Sequence, residues 1–238
     1  MKQVLILTIT FLSLTVLGQD TKPLQKILIG FNFSPDYAYR VLKNGDGSSS
    51  TDLVIKTRND IEIAKFGYTT GLNACFNFSK RVGFETGIQF SNKGYKNIIR
   101  NLVYFPPNSS LPINSKTVYA YQYIGIPIKA KFSFGKSKVR VVSGVGFITN
   151  FLVNFRQVIT YEYADGKTEK RSQSSKDGFK SVDISPLISL GIQYKLNDKM
   201  HLLTEPTFRY GLIKTKDAPV TENLWNAGLN IVFYYGLK

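Results

Sequence analysis

The sequence predicts an all-β chain, an eight-stranded antiparallel up-and-down transmembrane β-barrel, and three observations carry that expectation. Segment after segment alternates apolar residues with small or polar ones at period two. Short and long connections between those segments alternate strictly along the chain. The one long apolar run, residues 4–17, falls short of a membrane-spanning helix.

The start of the chain sets the compartment. Lys2 gives a positive beginning, residues 4–17 are apolar, and Val16-Leu17-Gly18 offers small or short residues for cleavage before Gln19. Residues 1–18 therefore read as a signal peptide and residues 19–238 as the exported domain. No later stretch approaches about 18 continuous apolar residues, so helices are not expected to anchor it. Cys75 is the only cysteine, which excludes an intrachain disulfide and a cysteine-based metal cluster.

The first strand is expected over residues 27–39. In the second, Phe66, Tyr68, Thr70, Leu72, Ala74, Phe76 and Phe78 alternate with Gly67, Thr69, Gly71, Asn73, Cys75 and Asn77. Ser79-Lys80-Arg81 turns the chain into Val82, Phe84, Thr86, Ile88 and Phe90, which alternate with Gly83, Glu85, Gly87, Gln89 and Ser91. The pattern recurs in residues 124–134 and 139–148, joined by the short turn 135–138. It recurs again in residues 182–195, which turn at 197–199 into 200–212, and in the last strand, where Trp225, Ala227, Leu229, Ile231, Phe233, Tyr235 and Leu237 share one face. The links 42–60, 93–117, 155–180 and 214–223 are long, polar, or rich in Gly, Pro and Ser. Short turns inside and longer loops outside are the layout of an outer-membrane barrel.

A soluble barrel of lipocalin type also alternates, but it would fill its interior with the apolar set. Here the other face is crowded with glycine and carries Glu85, Lys129, Lys131, Arg140, Asp183, Lys195, Glu205 and Arg209. Mixed charges suit an ion-paired lumen, and a Phe, Ile, Val and Leu face with Tyr or Trp near its ends suits lipid and an interfacial girdle. At eight strands the side chains about fill such a lumen, so a wide pore is not expected.

The residues resemble the PorT-type outer-membrane β-barrel family, with OmpA/OmpX-like architecture. The resemblance lies in residues 66–95, above all Gly83-Phe84-Glu85-Thr86-Gly87-Ile88-Gln89-Phe90-Ser91-Asn92-Lys93-Gly94-Tyr95. It continues in Tyr123-Ile124-Gly125-Ile126-Pro127-Ile128-Lys129-Ala130-Lys131-Phe132, in Gly144-Val145-Gly146-Phe147 and in the strand from Gly228. These motifs are structural and imply a barrel without naming an activity; one namesake of the family is associated with a protein-secretion system. The chain departs at its end, where Tyr235 is followed by Gly236-Leu237-Lys238 rather than closing on an aromatic residue.

Candidate chemistry is sparse. His201, the single histidine, follows the 197–199 turn and is expected at the periplasmic rim, as a polar lumen residue rather than a catalytic base. No ligand set for a metal and no cofactor motif stands out, because Gly144-Val145-Gly146 lacks the third glycine and helix of a dinucleotide site. The formal net charge of +15 invites a nucleic-acid reading. Export and period-two strands argue against it, and Lys93, Lys96 and Arg100 are expected to contact lipopolysaccharide phosphates instead. The expected function is a non-enzymatic barrel that acts through its outer loops, in envelope integrity or a secretion assembly. A narrow channel, or a soluble barrel holding a small apolar ligand, is the alternative.

Overall fold

The computed structural model describes residues 26–108, 110–135 and 137–237; the signal peptide expected at 1–18 lies outside them. Eight long strands form a closed antiparallel ring. In chain order they are β1 (Ile27–Asn44), β2 (Glu62–Asn77), β3 (Val82–Asn97), β5 (Asn114–Phe134), β6 (Val139–Glu162), β8 (Val182–Lys195), β9 (Met200–Tyr210) and β10 (Val220–Leu237). Each pairs with the next, and β1 closes the ring against β10 in a register that sets Tyr37 opposite Ala227. Two short strands lie outside the ring on its outer side. β4 (Arg100–Asn101) adds to β5, and β7 (Thr168–Ser174) folds back on β6.

The burial pattern is the inverse of a soluble protein's. Along β1, Leu28, Asn32, Ser34, Asp36, Ala38 and Arg40 are buried while Ile29, Phe31, Phe33 and Tyr37 are exposed. Phe66 is 80% exposed, whereas Glu205 is 0% exposed. Water would expel such an outer surface, and lipid accepts it, so the apolar face is the membrane belt. This excludes the lipocalin-type alternative. At the outer margin of the belt, Tyr37 packs edge-on against Phe66, and Trp225 packs with Tyr39 and Phe208, as an interfacial girdle requires.

Two features shape the interior. Gly228 leaves room for an acid: a Cβ there would lie 1.9 Å from the Asp36 carboxylate. The β5–β6 register shifts at Gln122/Tyr123, so Leu152 and Phe155, an odd number of residues apart, both pack against the inner aromatic cluster.

The long links depart from expectation. Residues 42–60 are not a plain loop: they hold the helix α1 (Ser49–Ile61), entered through Ser48, whose hydroxyl accepts from the Thr51 N–H. Residues 93–97 and 114–117 continue β3 and β5, and residues 155–162 continue β6 before the β7 hairpin. Several strands therefore exceed the roughly 9–11 residues that cross a bilayer, and they rise beyond the outer surface.

Candidate functional site

The site-bearing region is the lumen and its outer mouth, which are filled in layers. Lowest lies an apolar cluster of Leu28, Cys75, Val142, Leu203, Val232 and Tyr234. Just above it, Lys131 donates to Gln193 (2.8 Å) and stands over the Tyr234 ring. The next layer joins three strands: Lys129 on β5 lies 3.0 Å from Glu85 on β3 and 2.7 Å from Glu205 on β9. Tyr234 and Asn73 donate to Glu85, and Asn230 donates to Glu205. These donors satisfy carboxylates that burial would otherwise penalise.

The middle layer holds two further pairs. Asp36 accepts from Arg209 (3.3 Å), Asn226 (2.9 Å), Thr69 (2.6 Å) and Ser34 (2.6 Å). Lys93 lies 3.8 Å from Asp183, which also accepts from Ser185. Beside these pairs Thr69, Gln89, Ser91, Lys93, Asn150, Arg209 and Asn226 line a cavity with room for about one water molecule.

At the mouth, helix α1 joins the barrel. Arg58 of α1 reaches Glu62 (2.7 Å) and Glu222 (2.8 Å), while Arg40 donates to Glu62 (2.8 Å) and Asn59 (2.6 Å). Tyr95 and Tyr121 donate to the two oxygens of Glu222. Above them Tyr121, Phe155 and Phe179 pack with ring centroids 4.4–5.6 Å apart. Outside the membrane, Lys180 and Lys214 both pair with Asp217, and together they hold its carboxyl down to about 2.

Of the charged residues expected in the lumen, Glu85, Lys129 and Glu205 meet in one layer. Asp183 and Arg209 stand in separate pairs, and Lys131 bonds an amide. Arg140 lies at the periplasmic rim, half-buried, with a guanidinium nitrogen 3.5 Å from the Lys80 carbonyl. His201 stands opposite Lys195 at the same rim. Lys93 does not lie where the sequence pattern places it, on an outer loop against lipopolysaccharide: β3 runs on through it and turns it into the lumen, only 3% exposed. Lys96 points outward from the same strand, and Arg100 is exposed on β4.

Sequence reasoning missed Asp36, Arg40, Arg58, Glu62, Lys65 and Glu222. Asp36 carried a signal, since Asn32, Ser34 and Asp36 alternate with Phe31, Phe33 and Tyr37. Among the described residues, the buried charged ones are Asp36, Glu62, Glu85, Asp183, Glu205 and Glu222 against Arg40, Lys65, Lys93, Lys129, Lys131 and Arg209, six of each sign. The lumen is thus electrically balanced, and the excess of positive charge is carried outside it. Among the described residues, no group of three or more His, Cys, Asp or Glu is arranged to hold a metal ion.

A family model described as "Outer membrane protein beta-barrel domain" matches residues 18–217. The chain belongs to this outer-membrane β-barrel family. It is an outer-membrane barrel protein, and its location is the outer membrane. No curated protein matches it. Among solved structures, the barrel is similar to Neisserial surface protein A (NspA), with 13% identity over 89% of this chain and 97% of that one and a TM-score of 0.45. It is also similar to OprG from Pseudomonas aeruginosa, with 13% identity, 90% and 100% coverage and a TM-score of 0.42. The attachment invasion locus protein Ail of Yersinia pestis matches with 14% identity, 88% and 100% coverage and a TM-score of 0.33.

Proposed function

We propose that this outer-membrane barrel is a sealed, non-enzymatic anchor whose raised outer strands engage lipopolysaccharide and present a surface to envelope or secretion proteins. We further propose that it reaches the membrane through a signal peptide cleaved after residue 18, and that it is of PorT type, on the strength of the sequence segments given above. The balanced, filled lumen favours an anchor over a conduit. His201 stands among Lys131, Lys195 and Arg140, a setting that suits a rim residue rather than a general base.

The observation that carries the lipopolysaccharide reading is a group of bases on adjacent strands beyond the apolar belt, from Arg156, three residues past Val153, to Lys116, eight residues past Ile124. Lys96 on β3 alternates with the buried Tyr95, and Lys116 on β5 lies on the face opposite Tyr121. Arg156 on β6 lies opposite Ala120, one strand over, and Arg100 is exposed on β4. Ile124 and Val153 mark the belt below them. Cations at that height gain roughly 1 kcal/mol each beside anionic lipid, an attraction that salt screens. The test is the amount of lipopolysaccharide retained per barrel after detergent extraction at low salt. A variant with Lys96→Glu, Arg100→Glu, Lys116→Glu and Arg156→Glu is expected to lose most of it, and unchanged retention would overturn the reading.

A further inference from the structure

The opposite end of the barrel carries a charge pattern that the lipopolysaccharide reading does not use. Short turns mark it as the periplasmic end, and every element there brings bases. Lys26 precedes β1, Lys80 and Arg81 form the first turn, Lys138 and Arg140 open β6, and Lys195 and Lys199 flank the third turn. Asp198, paired with Lys195 at 2.6 Å, is the single acid of this end among the described residues. The outer segments differ, because there acids such as Asp52, Asp60, Glu162, Glu169 and Asp217 are interspersed among the bases. The buried charges of the lumen sum to zero, so the lumen as a whole supplies no compensating charge.

Position identifies what this ring would meet. The belt ends at exposed Phe78, Phe134, Tyr194 and Leu196, and bases follow within one to four residues of each. Lysine and arginine stems of that reach lie along apolar surface and place their charge at headgroup depth. The phosphates at that depth belong to the inner leaflet of the outer membrane, which faces the periplasm. We propose that the periplasmic rim is a cationic collar that binds the headgroup phosphates of anionic phospholipid, gathering such lipids around the barrel on the leaflet opposite to lipopolysaccharide. The collar would hold the barrel at a fixed depth, with Lys26, Lys138 and Lys199, all exposed, making the outermost contacts.

The experiment uses the mature chain reconstituted in phosphatidylcholine bilayers and compares the association of spin-labelled phosphatidylglycerol with that of spin-labelled phosphatidylcholine at the protein surface. The wild type is expected to prefer phosphatidylglycerol by about threefold or more at low salt. Measured on the background in which Lys96, Arg100, Lys116 and Arg156 are reversed, so that the outer bases cannot attract the same lipid, Lys26→Gln/Lys138→Gln/Lys199→Gln should bring that preference close to unity. The outer variant with Lys96, Arg100, Lys116 and Arg156 reversed should keep most of it, which separates this claim from the lipopolysaccharide reading. Heat-dependent gel mobility verifies that each variant is folded, and the milder pair Lys138→Gln/Lys199→Gln should still halve the preference. A preference unchanged in the rim variants, or lost equally in the outer variant, would overturn the proposal.

Discussion

At its periplasmic end the lumen closes on Leu28, Cys75, Val142, Leu203, Val232 and Tyr234, every one of them supplied by a barrel strand. At its outer end it closes on Tyr95, Tyr121, Tyr123, Leu152 and Leu224, and there the ionic knot of Arg40, Glu62 and Glu222 takes a further member, Arg58, from a connecting helix. The difference separates two kinds of closure. The inner seal comes from strand alternation and cannot loosen without opening the barrel. The outer seal depends partly on α1, a short segment that can detach while the strands remain paired, as local unfolding permits.

The largest expected effect breaks the strand-borne kind. Lys129→Met leaves Glu85 and Glu205 facing each other in a buried layer, and removing one member of such a set costs about 3–5 kcal/mol. Urea unfolding followed by the fluorescence of Trp225, the single tryptophan, should show a loss of that size for the whole barrel. A loss below about 1 kcal/mol would mean that the layer is well solvated after all.

Arg58→Ala should act locally. It removes the bonds from α1 to Glu62, Glu222 and Tyr95, a change of about 1–3 kcal/mol felt mainly by the helix. Amide exchange over residues 49–61 should accelerate while the global urea midpoint moves little. A global loss matching that of Lys129→Met would erase the distinction between the two ends. Ser48→Ala removes the N-cap and should speed exchange in α1 by a smaller margin, about 1 kcal/mol.

The smallest effect is a pH dependence at the outer rim. Lys180 and Lys214 hold the Asp217 carboxyl down to about 2, against an ordinary 3.8. A depressed carboxyl contributes its tether above the ordinary value and loses it as pH falls through about 2. Carboxyl NMR of Asp217 should therefore titrate near pH 2, and Lys180→Met/Lys214→Met should return it toward 3.8. A wild-type midpoint near 3.8 would remove the tether from the account.

The same contrast explains what could be read in the sequence. Period-two alternation exposes any strand whose two faces meet different solvents, so the eight strands, the three short turns and the inward placement of Glu85, Lys129 and Glu205 were legible. Lys93 was misplaced because polar residues around it ended the apolar alternation, although the strand continues above the membrane, where its outer face meets water. Helix α1 was missed because Leu53, Val54 and Ile55 are contiguous and give no helical stripe; Ser48 as a cap was its one local signal. The partners of Arg58 lie far off in sequence, at Tyr95 and Glu222, and only ring closure brings them together.

Planar-bilayer recording of the purified protein decides whether the membrane barrel is sealed by its own side chains. Heat-dependent gel mobility would first verify that the sample is folded. A sealed lumen gives insertion with no discrete conductance steps above baseline. Steady, reproducible steps from the folded wild-type protein would contradict it and make the lumen a conduit.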